Sequence, residues 1–524
     1  MPEGNLIFIE ELAILMLLIA TIVAIIFQRL RVPYTVGLVL VGASLALLRP
    51  EQAFEITPDL IMALLVPPLL FEAAFHLDFD DLKPYLGTIA VLAIPGVIVT
   101  TFLVGGVVAW GTSLSLPLAI VFGSLIAATD PVAVIALFRS LGVPKRLQLL
   151  IEGESLFNDG TAVVVFGLAL AVVETGEFNL FNSLVDFVLV AGGGLVLGLL
   201  LGLLISFIIS RVKDPLIETA LTFILAYGAF LVAEELHVSG VLAVVGAGIL
   251  SGNLGPQGMS PTTRIVVFNF WEFAAFLANS FVFLLIGLQV EIPVLVENWT
   301  AIVVGILAVL IARAIVIYSS TAGKGLPMSW KHVTFWGGLR GAISLALVLS
   351  LPLTLGSGRS EMQAMAFGVV LFTLLVQGLT MQPLVRRLNI APKHEQRERF
   401  NLFKAQSTSL RNAYSHLQDV HDEGLISEST WRRTSKLLQE FINEVTITVR
   451  ELLISDPELA GEDMDRAWRE VLKAQRSSLV QLFTNGAVSE EAFAELLGRI
   501  DTALDDDEIT WSEIEELQSK LSLG

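Results

Sequence analysis

The sequence contains no cysteine. That excludes disulfides, thiolate metal sites and cysteine nucleophiles, and it says nothing about compartment. Charge is scarce too: Asp, Glu, Lys and Arg make up 16% of the 524 residues against 54% hydrophobic, and the mean hydropathy is +0.74. Such values lie far outside the range of soluble domains and indicate a polytopic membrane protein. The opening "MPEGNLIFIEEL" lacks a basic n-region and carries Glu3, Glu10 and Glu11, so it reads as a poor signal peptide and the first apolar segment as a retained span. Basic residues are in the minority at the other end. From Glu395 to Gly524 there are 14 Lys and Arg against 26 Asp and Glu, a balance of −12, which argues against a nucleic-acid partner because phosphate binding needs clustered cations.

Long hydrophobic runs, by contrast, are abundant. Thirteen candidate spans run approximately over 8–28, 34–49, 57–76, 86–110, 116–139, 146–173, 181–210, 215–235, 238–252, 265–290, 298–319, 332–353 and 361–385. If the first enters from outside, one set of loops carries 13 basic residues and the other only Arg49 and Arg359. The positive-inside rule then places the N-terminus outside and the acidic tail in the cytoplasm. The expected organisation is a transmembrane domain over 1–392, with core helices including 86–173 and 298–385, and a soluble helical domain over 393–524. The tail has apolar residues at helical spacing and reads as a small bundle that regulates, by pH, by an unidentified ligand or by contact with the membrane domain, or that merely stabilises a dimer.

With the seventh span as a linker, the first six and last six spans have opposite orientations, which is an inverted repeat. Spans five and twelve then correspond, and each is interrupted. Pro131 in "AATDPVAV" removes a backbone donor and disfavours helix at Asp130, while Gly337, Gly338 and Gly341 loosen "WGGLRGAIS" around Arg340. Paired broken helices near the midplane are the best sequence pointer to a transporter's binding site.

Charge inside such spans needs a partner or a purpose, because at mid-membrane it costs at least ~2.5–3.5 kcal/mol. Asp159 lies about thirteen residues into span six, roughly 20 Å at ~1.5 Å per residue, and Asp130 is similarly deep. Within "GESLFNDG", Glu154 and Asn158 are one turn apart, as are Ser155 and Asp159, so the four make one polar side facing span five. Arg340 is the natural counter-charge, and Glu154 is its expected partner in a structural ion pair. Arg313 is a second buried cation that serves packing or gating. Glu72, in "PPLLFEAAFHLD", divides between ion contact and cavity wall. Gly194, Gly198 and Gly202 read most simply as close-packing positions, with a dimer interface as the second reading. His76, His237 and His332 are scattered and suggest no metal site.

"AATDPVAV", "GESLFNDG" and "FWGGLRGAISLAL" resemble the signature segments of sodium/proton antiporters of the bacterial NhaP and eukaryotic sodium/hydrogen exchanger type, in the monovalent cation:proton antiporter family. The likeness covers approximately residues 8–390. It implies a thirteen-helix inverted-repeat fold, a homodimer, and elevator-like movement of a core domain against a dimerisation domain. It also implies that Asn158 and Asp159 bind the ion, with Asp159 exchanging cation for proton; that Thr129, Asp130 and Pro131 form the helix crossing; that Ser155 precedes the ion pair of residues; that Glu154 pairs with Arg340; and that Glu72 lies near the ion.

The chemistry of the residues agrees. A carboxylate in low dielectric holds a bare charge at a cost, so Asp159 binds a proton or a hard alkali cation with comparable ease. Asp159, Ser155 and a carbonyl freed at Thr129 suit Na+ or Li+. The empty carrier, an uncompensated anion, crosses poorly, and both filled forms cross, so exchange is electroneutral if Asp159 alone changes occupancy. Asn158 cannot titrate and supports that count; Asp130 is a second group that could. No cofactor and no enzymatic activity are expected. A potassium/proton exchanger differs only in cavity size, a channel lacks a visible filter or sensor here, and an Asp130–Asp159 hydrolase is the remote third reading.

Overall fold

The computed structural model describes residues 3–30, 34–48, 61–212, 214–259, 261–289, 292–390 and 394–505. Arg31, Arg49, Lys213, Glu291, the start of the third expected span and the acidic run from residue 506 lie outside the described residues. The chain divides into two compact units, Met1–Pro392 and Lys393–Gly524. Among the described residues every regular element is helical.

The first unit opens with α1 (Glu3–Leu30), α2 (Tyr34–Leu48) and α3 (Val66–His76), the last entered through a π turn at Ile61–Leu65. The expected span 86–110 is divided: Pro95, which cannot donate to Val91, separates α4 (Leu86–Ala93) from α5 (Pro95–Gly111). Span five is broken as its sequence demands. It forms α6 (Leu116–Leu125) and α7 (Val132–Leu141), joined by the non-helical stretch 126–131. Gly142, at φ 68°, ends α7 in the left-handed region, and α8 (Lys145–Thr175) follows as one continuous helix. Next come α9 (Leu180–Phe187) and α10 (Gly193–Ile209), with a π turn between them, then α11 (Pro215–Glu235), α12 (Gly240–Gly258) and α13 (Pro261–Leu288). The carboxylate of Asp214 caps α11 by accepting from the Leu216 and Ile217 N–H groups, and Ser239 caps α12 through Leu242. After α14 (Trp299–Ser320) the second broken pair appears, α15 (Met328–Trp336) and α16 (Ala342–Leu349), followed by α17 (Ser357–Phe372) and α18 (Gly378–Arg387).

By length and composition, seven of the described helical segments suffice to cross a membrane, and five more are shorter and apolar. Their outer faces carry Leu200, Leu203, Ile224 and Leu231, each more than half exposed, as a lipid-facing surface requires. The second unit contains four long helices, α19 (His394–Asp422), α20 (Glu428–Ser455), α21 (Pro457–Thr484) and α22 (Glu490–Asp505). Ser427 caps α20 and Asp456 caps α21. Pairs such as Arg432–Glu428 at 2.7 Å lie on exposed faces and add little to stability.

The three glycines of span seven are close-packing positions. A Cβ on Gly194 would stand 2.4 Å from the Ser239 carbonyl oxygen, and one on Gly198 would stand 2.0 Å from that of Ala243 on α12. Backbone meets backbone there, and no rotamer change relieves the clash. Gly198→Val is therefore expected to cost about 1–3 kcal/mol and to lower the melting temperature of the detergent-solubilised protein. An unchanged midpoint would show that α10 and α12 do not approach this closely.

Candidate functional site

The two breaks meet. The Asp130 N–H donates to the Leu339 carbonyl at 2.8 Å, joining the break after α6 to the break after α15. A broken helix leaves carbonyls without partners, which is costly away from water. Arg340, 1% exposed, answers this from the opposite break: its Nη1 donates to the Ala127 and Ala128 carbonyls at 2.6 and 2.8 Å. Its own backbone N–H donates to Thr373 Oγ1 at 3.1 Å. Asp130 closes the next turn, its Oδ1 accepting from the Val132 N–H at 2.9 Å. Gly341 is required beside it, because a Cβ there would lie 2.0 Å from Asp130 Oδ2.

The polar side of α8 packs against the first break. Asn158 is held at both ends of its amide: Oδ1 accepts from the Thr129 N–H at 3.2 Å and Nδ2 donates to Thr129 Oγ1 at 2.6 Å. The Ser155 hydroxyl donates to the Thr129 carbonyl. Asp159, one turn beyond, is 9% exposed, and its carboxylate faces a cavity of about 230 Å³. Thr129, Asp130, Ser155 and Ser344 line the same cavity, and Glu72 of α3 and Asn279 of α13 face it from the other helices. The cavity reaches outward as far as His76, Glu152 and Arg139. Arg139 is 62% exposed on its side chain and holds Glu152 at 3.2 Å, so this end meets water. His76 Nδ1 lies 3.4 Å from Glu72 Oε1, and its Nε2 lies 3.8 Å from Glu272 Oε1.

Residues 14–387 match the family described as "Sodium/hydrogen exchanger, transmembrane". The chain belongs to the sodium/hydrogen exchanger family. It is 40% identical over 468 residues to the Na(+)/H(+) antiporter ApNhaP of Aphanothece halophytica, covering 88% of this chain and 89% of that one. It is 36% identical to the antiporter NhaG of Bacillus atrophaeus, over 94% and 96% of the two chains. In fold it resembles the sodium proton antiporter MjNhaP1 of Methanocaldococcus jannaschii, with TM-score 0.62 at 22% identity, over 73% of this chain and 99% of that one.

Within this member of the family, one expected pairing is overturned. Glu154 does not pair with Arg340; its partner is Arg313 of α14, whose Nη1 and Nη2 grip Glu154 Oε1 and Oε2 in a two-pronged contact, the second at 3.1 Å. Nη2 also donates to the Thr334 carbonyl at 3.1 Å. The reason is competition for Arg340, which the orphaned carbonyls of the first break engage. The planar fork of Arg313 then matches the carboxylate that is left. The Thr129 carbonyl differs from expectation as well, since one of its lone pairs already accepts from Ser155. Sequence reading singled out Asp159, Asn158, Ser155, Thr129, Asp130 and Glu72, and all six lie around the first break or its cavity. It missed Glu152, Asn279 and Ser344. Asn279 was findable as a polar pair with Ser280 inside the apolar "FLANSFVFLLIGL".

Breaking a buried ion pair by removing one partner typically costs ~3–5 kcal/mol. Glu154→Gln and Arg313→Gln should each lower thermal stability sharply, with the double variant less damaged than the two losses added. Glu154→Gln combined with Arg340→Gln should show weaker coupling than the Glu154–Arg313 pair. A double-mutant cycle on melting temperatures reads both, and strong coupling of Glu154 to Arg340 would contradict the geometry.

Proposed function

We propose that this chain exchanges Na+ or Li+ for H+ across the cell membrane. Full-length similarity to proteins named Na(+)/H(+) antiporters supports the reaction. The observation that carries its assignment to residues is the cavity in which a buried Asp159 shares one wall with Ser155 and Thr129 and is reached from the exposed Arg139 end. Asp159 is the group that exchanges, with oxygens from Ser155 and the second lone pair of the Thr129 carbonyl completing part of the ion's shell. Asn158, tied to Thr129 at both ends, holds the break in shape beside the ion. Glu72 contributes from the opposite wall. Asp130 serves as a cap that stays in one state.

In the bilayer a bare Asp159 carboxylate is expensive, and a loaded one is neutral, so only the filled site crosses. One proton then trades for one cation. Alternating access follows an elevator pattern, in which α4 to α8 and α14 to α18 form a core that moves against the helices carrying Glu72 and Asn279. The chain has thirteen spans in a six-plus-six inverted repeat, an outside N-terminus, and a homodimeric assembly. Residues 393–524 form a cytoplasmic domain that regulates exchange or stabilises the dimer.

The test is transport in proteoliposomes carrying an internal pH reporter, with sodium, lithium or potassium added in turn. The native chain should give a saturable proton flux with sodium and lithium. Asp159→Asn should fall to the rate of empty liposomes, and an undiminished signal would remove Asp159 from the reaction. Imposed voltage is worth ~2.3 kcal/mol per charge per 100 mV, so a rate that follows voltage would rule out one-for-one exchange.

A further inference from the structure

Asn279 presents to the cavity an amide that the protein itself does not bond. It is 5% exposed, lies on α13 in the cavity wall, and among the described residues its side chain has no hydrogen-bond partner. Such an amide is left to what enters the cavity. Its neighbours on the helix do not explain it: Trp271 donates its ring N–H to Thr222 at 3.0 Å, and Phe281, Val282 and Phe283 pack into the apolar core. What Asn279 faces is the cavity shared with Asp159, Ser155, Thr129 and Glu72.

We infer that the Asn279 side-chain oxygen is a cation-recognition group, opposite Asp159, that binds the hydrated or partly dehydrated alkali ion while the site is open to this cavity. The inference rests on the proposed exchange reaction and adds to it a residue that sets cation affinity. Hard alkali cations take neutral amide oxygens as readily as carbonyls, and an amide adds no titrating group, so the proton count of the cycle is unchanged. Asp159 supplies charge and Asn279 supplies a ligand without charge. Its effect therefore falls on the sodium concentration needed for half-maximal flux and leaves the maximal rate alone.

The experiment compares the native chain, Asn279→Leu and Asn279→Asp in the same proteoliposomes, with Asp159→Asn as the inactive control. Leucine keeps the volume and removes the oxygen. It should raise the half-saturating sodium concentration about tenfold or more, the lower end for one lost contact to a charged group, with an unchanged maximal rate. Aspartate keeps an oxygen in place and should hold half-saturation at or below the native value. Native-like half-saturation in Asn279→Leu overturns the inference while native exchange stands. Should the leucine variant fail to reach the membrane, Asn279→Ala takes its place: alanine also removes the oxygen, and native-like half-saturation there overturns the inference. Absence of sodium-driven flux in the native chain sinks the exchange reading, and this inference with it.

Discussion

Everything in the membrane unit is arranged around two helix interruptions that must find partners for their free backbone groups without water. The solution is mutual. The Asp130 N–H finds the Leu339 carbonyl, and the Arg340 side chain spans the carbonyls of Ala127 and Ala128. Each break thus completes the other, and a guanidinium with five donors suits the task better than an ammonium would. Because these bonds are made in low dielectric, each is worth more than its counterpart at a surface, and each is more damaging to lose.

The same arithmetic orders the side chains around the breaks. A polar stripe on α8 would be a burden in lipid. Laid against Thr129, it becomes a connected network in which Ser155 and Asn158 engage all the polar groups of one residue. Asp159, at the edge of that network, is left facing the cavity. The scaffold is therefore tied down where it shapes the backbone and open where Asp159 lines the cavity. The neutral Asn158 amide is tied to that scaffold at both of its ends.

Much of this was legible beforehand because membrane sequences punish unexplained polarity. Pro131 and the glycines around Arg340 announced both interruptions, and the four-residue spacing in "GESLFNDG" announced a polar face. What could not be read was the choice of partner. Glu154 had two buried arginines available, and which one it holds depends on how many carbonyls compete for Arg340, a quantity fixed only once the two breaks are juxtaposed. Asn279 and Glu152 were missed for a related reason: the meaning of each comes from a cavity built by distant segments. Pro95 was simply overlooked in a long apolar run, although its missing donor divides that span into α4 and α5.

The Glu154 and Arg313 contact joins residues 159 positions apart in the chain. During synthesis, α8 therefore enters the bilayer long before the cation that neutralises it has left the ribosome. An unpartnered carboxylate at that depth is a poor permanent lodger, so the polar side of α8 stays incompletely matched until α14 emerges. The order of translation makes the membrane unit a late-closing assembly, whose first half is complete as sequence yet unfinished as structure until its second half arrives.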